Sequence, residues 1–192
     1  MKNILLSLSL LLSLVLSAQK RVYDIELFGK KIGATTVERI DKGAGEIQYK
    51  LNSSSQVDIL FTHKTSSMNF DIVYKDGKLF SSYCKNVKDG VTEVVTIAWN
   101  GTKYIIKKGE EVLQLNSPIH LSAIQLYFNE PLDGAKIFSE RMGVFCTIFK
   151  KAEGIYESKT ENGVVNIYRY KKGLLYELEM SKGASVFMKL LQ

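Results

Sequence analysis

The sequence predicts an all-β domain, an antiparallel β-barrel or strongly curved β-sheet with one short helix. Three observations predict it. Apolar and polar side chains alternate with period two over most of the chain, glycine-centred turn dipeptides recur about every 8 to 12 residues, and one segment alone breaks the alternation. Residues two apart share a face of a strand, so each alternating segment offers one apolar and one polar side, the pattern of a half-buried antiparallel strand.

The first element is not part of that domain. Met1, Lys2 and Asn3 precede an apolar run from Ile4 to Leu16 broken by serines alone, and Ser17, Ala18 and Gln19 follow. A charged start, an apolar middle and a small-residue exit are the parts of a secretory signal peptide, residues 1–18, cleaved after Ala18 with Ser17 as the alternative. The run is shorter than the roughly 20 residues a spanning helix needs. No cysteine lies near the cleavage site to carry a lipid. Residues 19–192 then form a single domain, exported and soluble in the periplasm or outside the cell, with no integral membrane span. A chain of that length buries about 70% of its unfolded surface, enough for a core without metal or disulfide.

Along the domain, Ile47, Tyr49 and Leu51 alternate with Gln48, Lys50 and Asn52, and Met68, Phe70, Ile72 and Tyr74 with Asn69, Asp71 and Lys75. The pattern returns at Leu174, Tyr176, Leu178 and Met180 and at Val186, Met188 and Leu190. Asp76-Gly77, Asp89-Gly90, Asn100-Gly101 and Asn162-Gly163 accept the positive φ of tight hairpin turns, and Gly109, Gly173 and Gly183 follow lysines at further turns. About a dozen strands result. The serine run from Asn52 to Ser55 reads as a loop or strand irregularity. Ser117-Pro118 supplies an N-cap and a first-turn proline for a short helix over residues 119–128, ending before Pro131. That helix is apolar around most of its circumference, so it is expected to pack over the sheet or plug one end of a barrel.

These segments carry a likeness. The opening strand Tyr23-Asp24-Ile25-Glu26-Leu27-Phe28 turning through Lys31-Ile32-Gly33, the midpoint Leu121-Ser122-Ala123-Ile124-Gln125-Leu126-Tyr127 and the closing strands around Tyr176-Glu177-Leu178-Glu179-Met180 resemble a family of small exported proteins of Gram-negative bacteria known as a domain of unknown function. The resemblance implies an envelope β fold similar to the open barrels that carry lipids between membranes. It implies no active site.

The formal charge of +6 includes Lys2 alone from the signal, so the domain stays moderately basic. Its paired lysines, as in Lys107-Lys108-Gly109 and Lys171-Lys172-Gly173, read as solvated hairpin tips, and export argues further against nucleic acid. Cys84 and Cys146 are the two cysteines, both inside strand-like segments. An oxidising compartment permits a disulfide between them, and buried free thiols fit the same positions.

Catalytic signatures are missing. His63 reads as part of a turn and His120 as part of the helix, near Ile124 and Tyr127. Ser82 and Lys85 match a Ser-x-x-Lys spacing, but on a strand residues three apart face opposite sides. The spacing of histidines and cysteines suits no metal, no phosphate loop is present, and no cofactor is implied. Glu93, Glu110, Glu111, Glu177 and Glu179 read as outer-face residues paired with lysines.

What remains is apolar surplus. Val91, Val94, Val95, Ile97, Ala98 and Trp99 are hydrophobic on both faces of one strand, and Phe145, Phe149, Tyr168 and Tyr170 add aromatics. Ile97, Trp99, Leu121, Ile124, Tyr127 and Phe128 are therefore the expected ligand-binding residues, lining a cavity for an apolar small molecule or lipid. A filled core would use the same side chains. The leading expectation is a non-enzymatic binder of an apolar or amphipathic ligand. The alternative is an assembly or scaffold protein that offers an exposed strand edge or aromatic face to another envelope protein.

Overall fold

The structure, a computed structural model, describes residues 18–59 and 62–191. The expected signal peptide lies outside the described residues but for Ala18, which opens the first strand. Fourteen strands follow one another: β1 (Ala18–Leu27), β2 (Lys30–Gly43), β3 (Glu46–Ile59), β4 (Thr62–Lys75), β5 (Lys78–Lys88), β6 (Val91–Trp99), β7 (Tyr104–Lys108), β8 (Glu111–Leu115), β9 (Lys136–Ser139), β10 (Val144–Ala152), β11 (Ile155–Lys159), β12 (Val165–Lys171), β13 (Leu174–Lys182) and β14 (Ala184–Leu190). All lie in one antiparallel sheet in the order β8-β7-β6-β5-β4-β3-β2-β1-β14-β13-β12-β11-β10-β9. Consecutive strands are hairpin neighbours almost throughout, and β1 pairs with β14, so the first and last strands meet in the middle of the sheet.

The turns follow from their residues. Asp76 and Gly77 have φ of 49° and 72°, Asp89 and Gly90 of 50° and 82°, the left-handed pair that a two-residue hairpin needs to match strand twist. A sheet this wide curls, because each strand is rotated by roughly 20 to 25° from the last. Register shifts after Ile25, Asp41, Val73, Lys150 and Arg169 add bends. At Gly33 on β2 a Cβ would stand 2.1 Å from the Ser54 carbonyl oxygen and 2.6 Å from Ser55 Cα, so β2 and β3 approach more closely there than any side chain allows. The expected irregularity from Asn52 to Ser55 is thus continuous strand, with Ser55 opposite Gly33 and the Ser53 hydroxyl 2.8 Å from that of Thr35.

The cylinder does not close by strand pairing, since β8 and β9 are the two edges. Residues 117–122, called the strap here, cross that end instead. The Ile119 carbonyl accepts the Leu79 N–H at 2.9 Å, and the Leu121 carbonyl accepts the Phe138 N–H at 3.0 Å, so the strap stitches the start of β5 to β9. This corrects the expected helix over 119–128. Backbone groups committed to two strands are not free for a helix, and only Ala123–Tyr127 turns, as a 3-10 helix capped by Ser122. Gln125 Oε1 accepts the Ser122 N–H at 2.9 Å, the half of a capping box that fixes this start.

The sheet interior is packed. Tyr23, Tyr49, Tyr74, Tyr104 and Phe138 are buried together with Ile72, Leu79, Ile97, Ile119, Ile124 and Leu126. Tyr49 meets Tyr74 edge-on at 5.8 Å between centroids and Phe128 at 5.7 Å. Buried phenols need partners. Several find them on the strap and helix: Tyr170 Oη donates to the Leu126 carbonyl at 2.8 Å and Tyr74 Oη to Ser122 Oγ at 2.7 Å. Arg21 donates to the Tyr127 carbonyl and lies over the Phe128 ring, 4.9 Å from its centroid.

Candidate functional site

Beyond the pair Ser81–Ala98, β5 and β6 stop bonding to each other. The next N–H along β5 with an inward side chain, that of Leu79, goes to the strap, and the Tyr104 hydroxyl joins the same junction by donating to the Leu79 carbonyl at 2.8 Å. Phe80 and Trp99, which would have been the next cross-strand pair, stand apart. Between them opens a slot of about 320 Å³, floored by Leu79 and Tyr104 and walled by Pro118 of the strap. Pro118 has no N–H to satisfy, which suits a wall position.

The slot is mostly apolar with charge at its lip. Trp99 packs on Tyr104 with 4.9 Å between ring centroids. Lys75 Nζ lies 4.2 Å from the Phe80 centroid and 3.2 Å from Glu46 Oε2, so that ammonium is held over an aromatic face and against a carboxylate. Lys78 and Asp76 complete the rim. His120 Nδ1 lies 3.1 Å from the Gly77 carbonyl and ties the strap to the β4–β5 turn.

On the other side of Pro118 runs a second groove, of about 530 Å³, in the seam between the edges. Leu115, Leu121, Phe145 and Cys146 line it with Lys136 and His120. One proline therefore separates the two.

Beneath the strap lies a polar node. In the β9–β10 turn, residues 140–143, Arg141 is exposed while Glu140 and Gly143 are buried, Gly143 so near Ile106 on β7 that a Cβ would sit 3.0 Å from its methyl. Glu140 is fully buried there, and its Oε1 accepts Ser122 Oγ at 2.5 Å and the Ile124 N–H at 3.3 Å. Burial pushes its carboxyl above the usual range, against the pull of the Ser122 hydroxyl and the amides of Glu140, Ile124 and Ala123. Tyr74, Ser122 and Glu140 so form one hydrogen-bonded chain from β4 through the strap to the turn. Nothing in it is open to a substrate, and its chemistry is that of a fastening.

The expected ligand residues divide between these places. Trp99 lines the slot and Leu121 the seam. Ile97, Ile124 and Phe128 are buried in the packed core, and Tyr127 packs on Tyr23 with its hydroxyl 3.7 Å from Met188 sulfur. Cys84 on β5 and Cys146 on β10 are unbonded thiols. Burial pushes the Cys84 thiol up to about 12, and its sulfur lies 3.4 Å from Ser82 Oγ. His120 is exposed and lies before the 3-10 helix, and His63 lies in β4, not in a turn, with Nδ1 2.7 Å from Asp58 Oδ1 across the β3–β4 ladder. Glu93 pairs with Lys108 as a surface residue, whereas Glu177 and Glu179 both take Arg169 rather than lysine. Sequence reasoning missed Glu140, Lys75, Lys78 and Phe80. The charge-apolar mixture of Lys75 to Phe80 around Asp76-Gly77 read as an ordinary hairpin tip.

Among the described residues no helix is long and apolar enough to cross a membrane. A family model described as Domain of unknown function (DUF6134) matches residues 23–190. Among solved structures the chain is similar to the crystal structure of a beta-barrel-like protein of Domain of Unknown Function DUF1849 from Brucella abortus. The TM-score is 0.63 at 12% identity, over 92% of this chain and 97% of that one, a likeness of fold. No curated protein sequence matches.

Proposed function

The chain belongs to the family Domain of unknown function (DUF6134), a description that names no activity, and from its own geometry we propose a non-enzymatic binder of a small amphipathic, lipid-like ligand. The observation that carries this reading is the parting of β5 and β6 beyond Ser81–Ala98, which leaves an apolar slot at Trp99 with Lys75 and Lys78 at its mouth. Ligand sites are concave and mostly apolar, with a few polar groups that fix orientation. A single chain or ring enters between Trp99, Phe80 and Pro118, and an anionic head meets the lysines. The slot, not the interior of the sheet, takes the ligand, because the interior is filled by tyrosines and the strap. The charged, apolar, small-residue order of residues 1–18 supports export to the cell envelope as the place of work.

The chain has a single tryptophan, so tryptophan emission, excited selectively over the ten tyrosines, reports on the slot alone. Titration with decanoate is expected to shift Trp99 emission saturably, with decanol weaker and decylamine weakest. Lys78→Glu is expected to weaken decanoate about tenfold by replacing attraction with repulsion at the lip. An unsaturable response, or equal response to all three headgroups, would overturn the reading.

A further inference from the structure

We infer that the free edge of β8 pairs with β8 of a second copy of this chain, in register about Leu113. The β7–β8 hairpin closes with Lys108 opposite Glu111 across a two-residue turn. In such a hairpin the flanking pair exchanges its hydrogen bonds, and hydrogen-bonded residues then alternate along the strand. Glu111, Leu113 and Leu115 therefore bond to β7, and Val112 and Gln114 aim their N–H and C=O groups out of the sheet. The opposite edge of the sheet is engaged, since β9 already gives its Phe138 N–H to the strap.

The edge is guarded only by its shortness and by Glu111 at one end. It has neither proline nor lysine, and Val112 and Leu113 are 56% and 41% exposed. A row of backbone groups is matched by another backbone, and this one matches itself. In an antiparallel pair centred on Leu113, Val112 stands opposite Gln114 of the other copy, and these are the residues whose hydrogen bonds point outward. Leu113 meets its own copy in the non-bonded position, where side chains come closest. Each exposed apolar residue gains a cross-strand neighbour.

Charge agrees with that register. Glu111 of one copy falls opposite Leu115 of the other, on the same face of the strand. Leu115 lines the seam groove together with Lys136. The Glu111 carboxylate is thus delivered to Lys136 across the two-fold axis, twice per dimer. The interface is isologous and closes after two copies. A five-residue pairing is small, so the dimer is weak and depends on concentration.

Sedimentation equilibrium from micromolar to submillimolar protein tests this. A reversible monomer–dimer equilibrium is expected. Val112→Pro removes an outward N–H without touching the β7 ladder, so it is expected to give monomer with an unchanged melting temperature. Glu111→Lys is expected to weaken the dimer about tenfold, and the exchange Glu111→Lys with Lys136→Glu to restore it. As a second readout, Leu113→Cys is expected to form a disulfide-linked dimer under mild oxidation and Val112→Cys is not. A monomer at every concentration overturns the inference. So does a dimer indifferent to Val112→Pro, or equal crosslinking at both positions.

Discussion

Replacing Ser122 by alanine tests the fastening beneath the strap. Ser122 Oγ accepts from Tyr74 Oη at 2.7 Å and donates to Glu140 Oε1 at 2.5 Å, and all three residues are buried. The variant leaves the Tyr74 hydroxyl without its acceptor and removes the Ser122 hydroxyl donor from the Glu140 oxygen that also receives the Ile124 amide. A neutral buried hydrogen bond broken on one side costs about 1–3 kcal/mol, and one to a charged group about 1.5–3 kcal/mol. The two share an atom, so their costs do not add fully. A loss of about 3 kcal/mol is expected. In a domain of this size that lowers the melting temperature by roughly 6–12 °C. Equilibrium urea unfolding of Ser122→Ala, Tyr74→Phe and the double variant measures the loss and the coupling. A Ser122→Ala loss under about 0.5 kcal/mol, or additivity with Tyr74→Phe, would refute the claim that the chain acts as one unit.

Four further outcomes are expected. Because the Glu140 carboxyl lies above its ordinary range in the folded state, the unfolded chain loses that proton first as pH rises. The contribution is therefore full below about pH 4.3 and is lost as pH rises through the folded value. Glu140→Gln should remove that part of the slope, read as the difference between the two urea midpoints against pH. Gly33→Ala forces the β2 and β3 backbones apart and should cost about 2 kcal/mol or more by the same unfolding measurement, in keeping with overpacked sites. Phe28 sits at φ 50° on the β1–β2 turn and is 78% exposed, so Phe28→Asn should raise stability by about 0.5–1 kcal/mol, visible as a higher melting temperature. Burial raises both thiols, so native Cys84 and Cys146 should alkylate slowly at pH 8, and the chain unfolded without reductant should take up two adducts by intact mass.

Much of the sheet was legible because its signals are local. Asp76-Gly77 and Asp89-Gly90 dictate their turns from two residues, and the alternation about Tyr49 and Ile72 fixes which face is buried. Elsewhere the determining partner is distant in the chain. Residues 119–128 are apolar all round because sheet surrounds them, a cue shared by a buried helix and a buried strap. What decides between the two is that Leu79 and Phe138 claim the carbonyls of Ile119 and Leu121. Ser122 with Gln125 three residues on did mark the true helix start, a weaker signal than Ser117-Pro118. Glu140, in the run Ser139 to Gly143, looks like any polar turn, and nothing nearby says that the turn folds inward. Of the six residues expected to line a cavity, Trp99 and Leu121 face concave surface, while Ile97, Ile124 and Phe128 are buried in the core. A two-sided apolar strand specifies burial without saying whether ligand or protein supplies it.

The pairing of β1 with β14 constrains the order in which the molecule assembles. Tyr23 to Leu27 pair with β2 from the start, but their other edge stays open until Val186 to Leu190 arrive, so the two halves of the sheet join late. Contacts spanning almost the whole chain carry a large loop-closure cost and make folding slow, on the millisecond to second scale typical of non-local β topologies. Until β14 joins, β1 keeps one edge unpaired, so the half-formed sheet offers other chains the same row of backbone groups that β14 later fills.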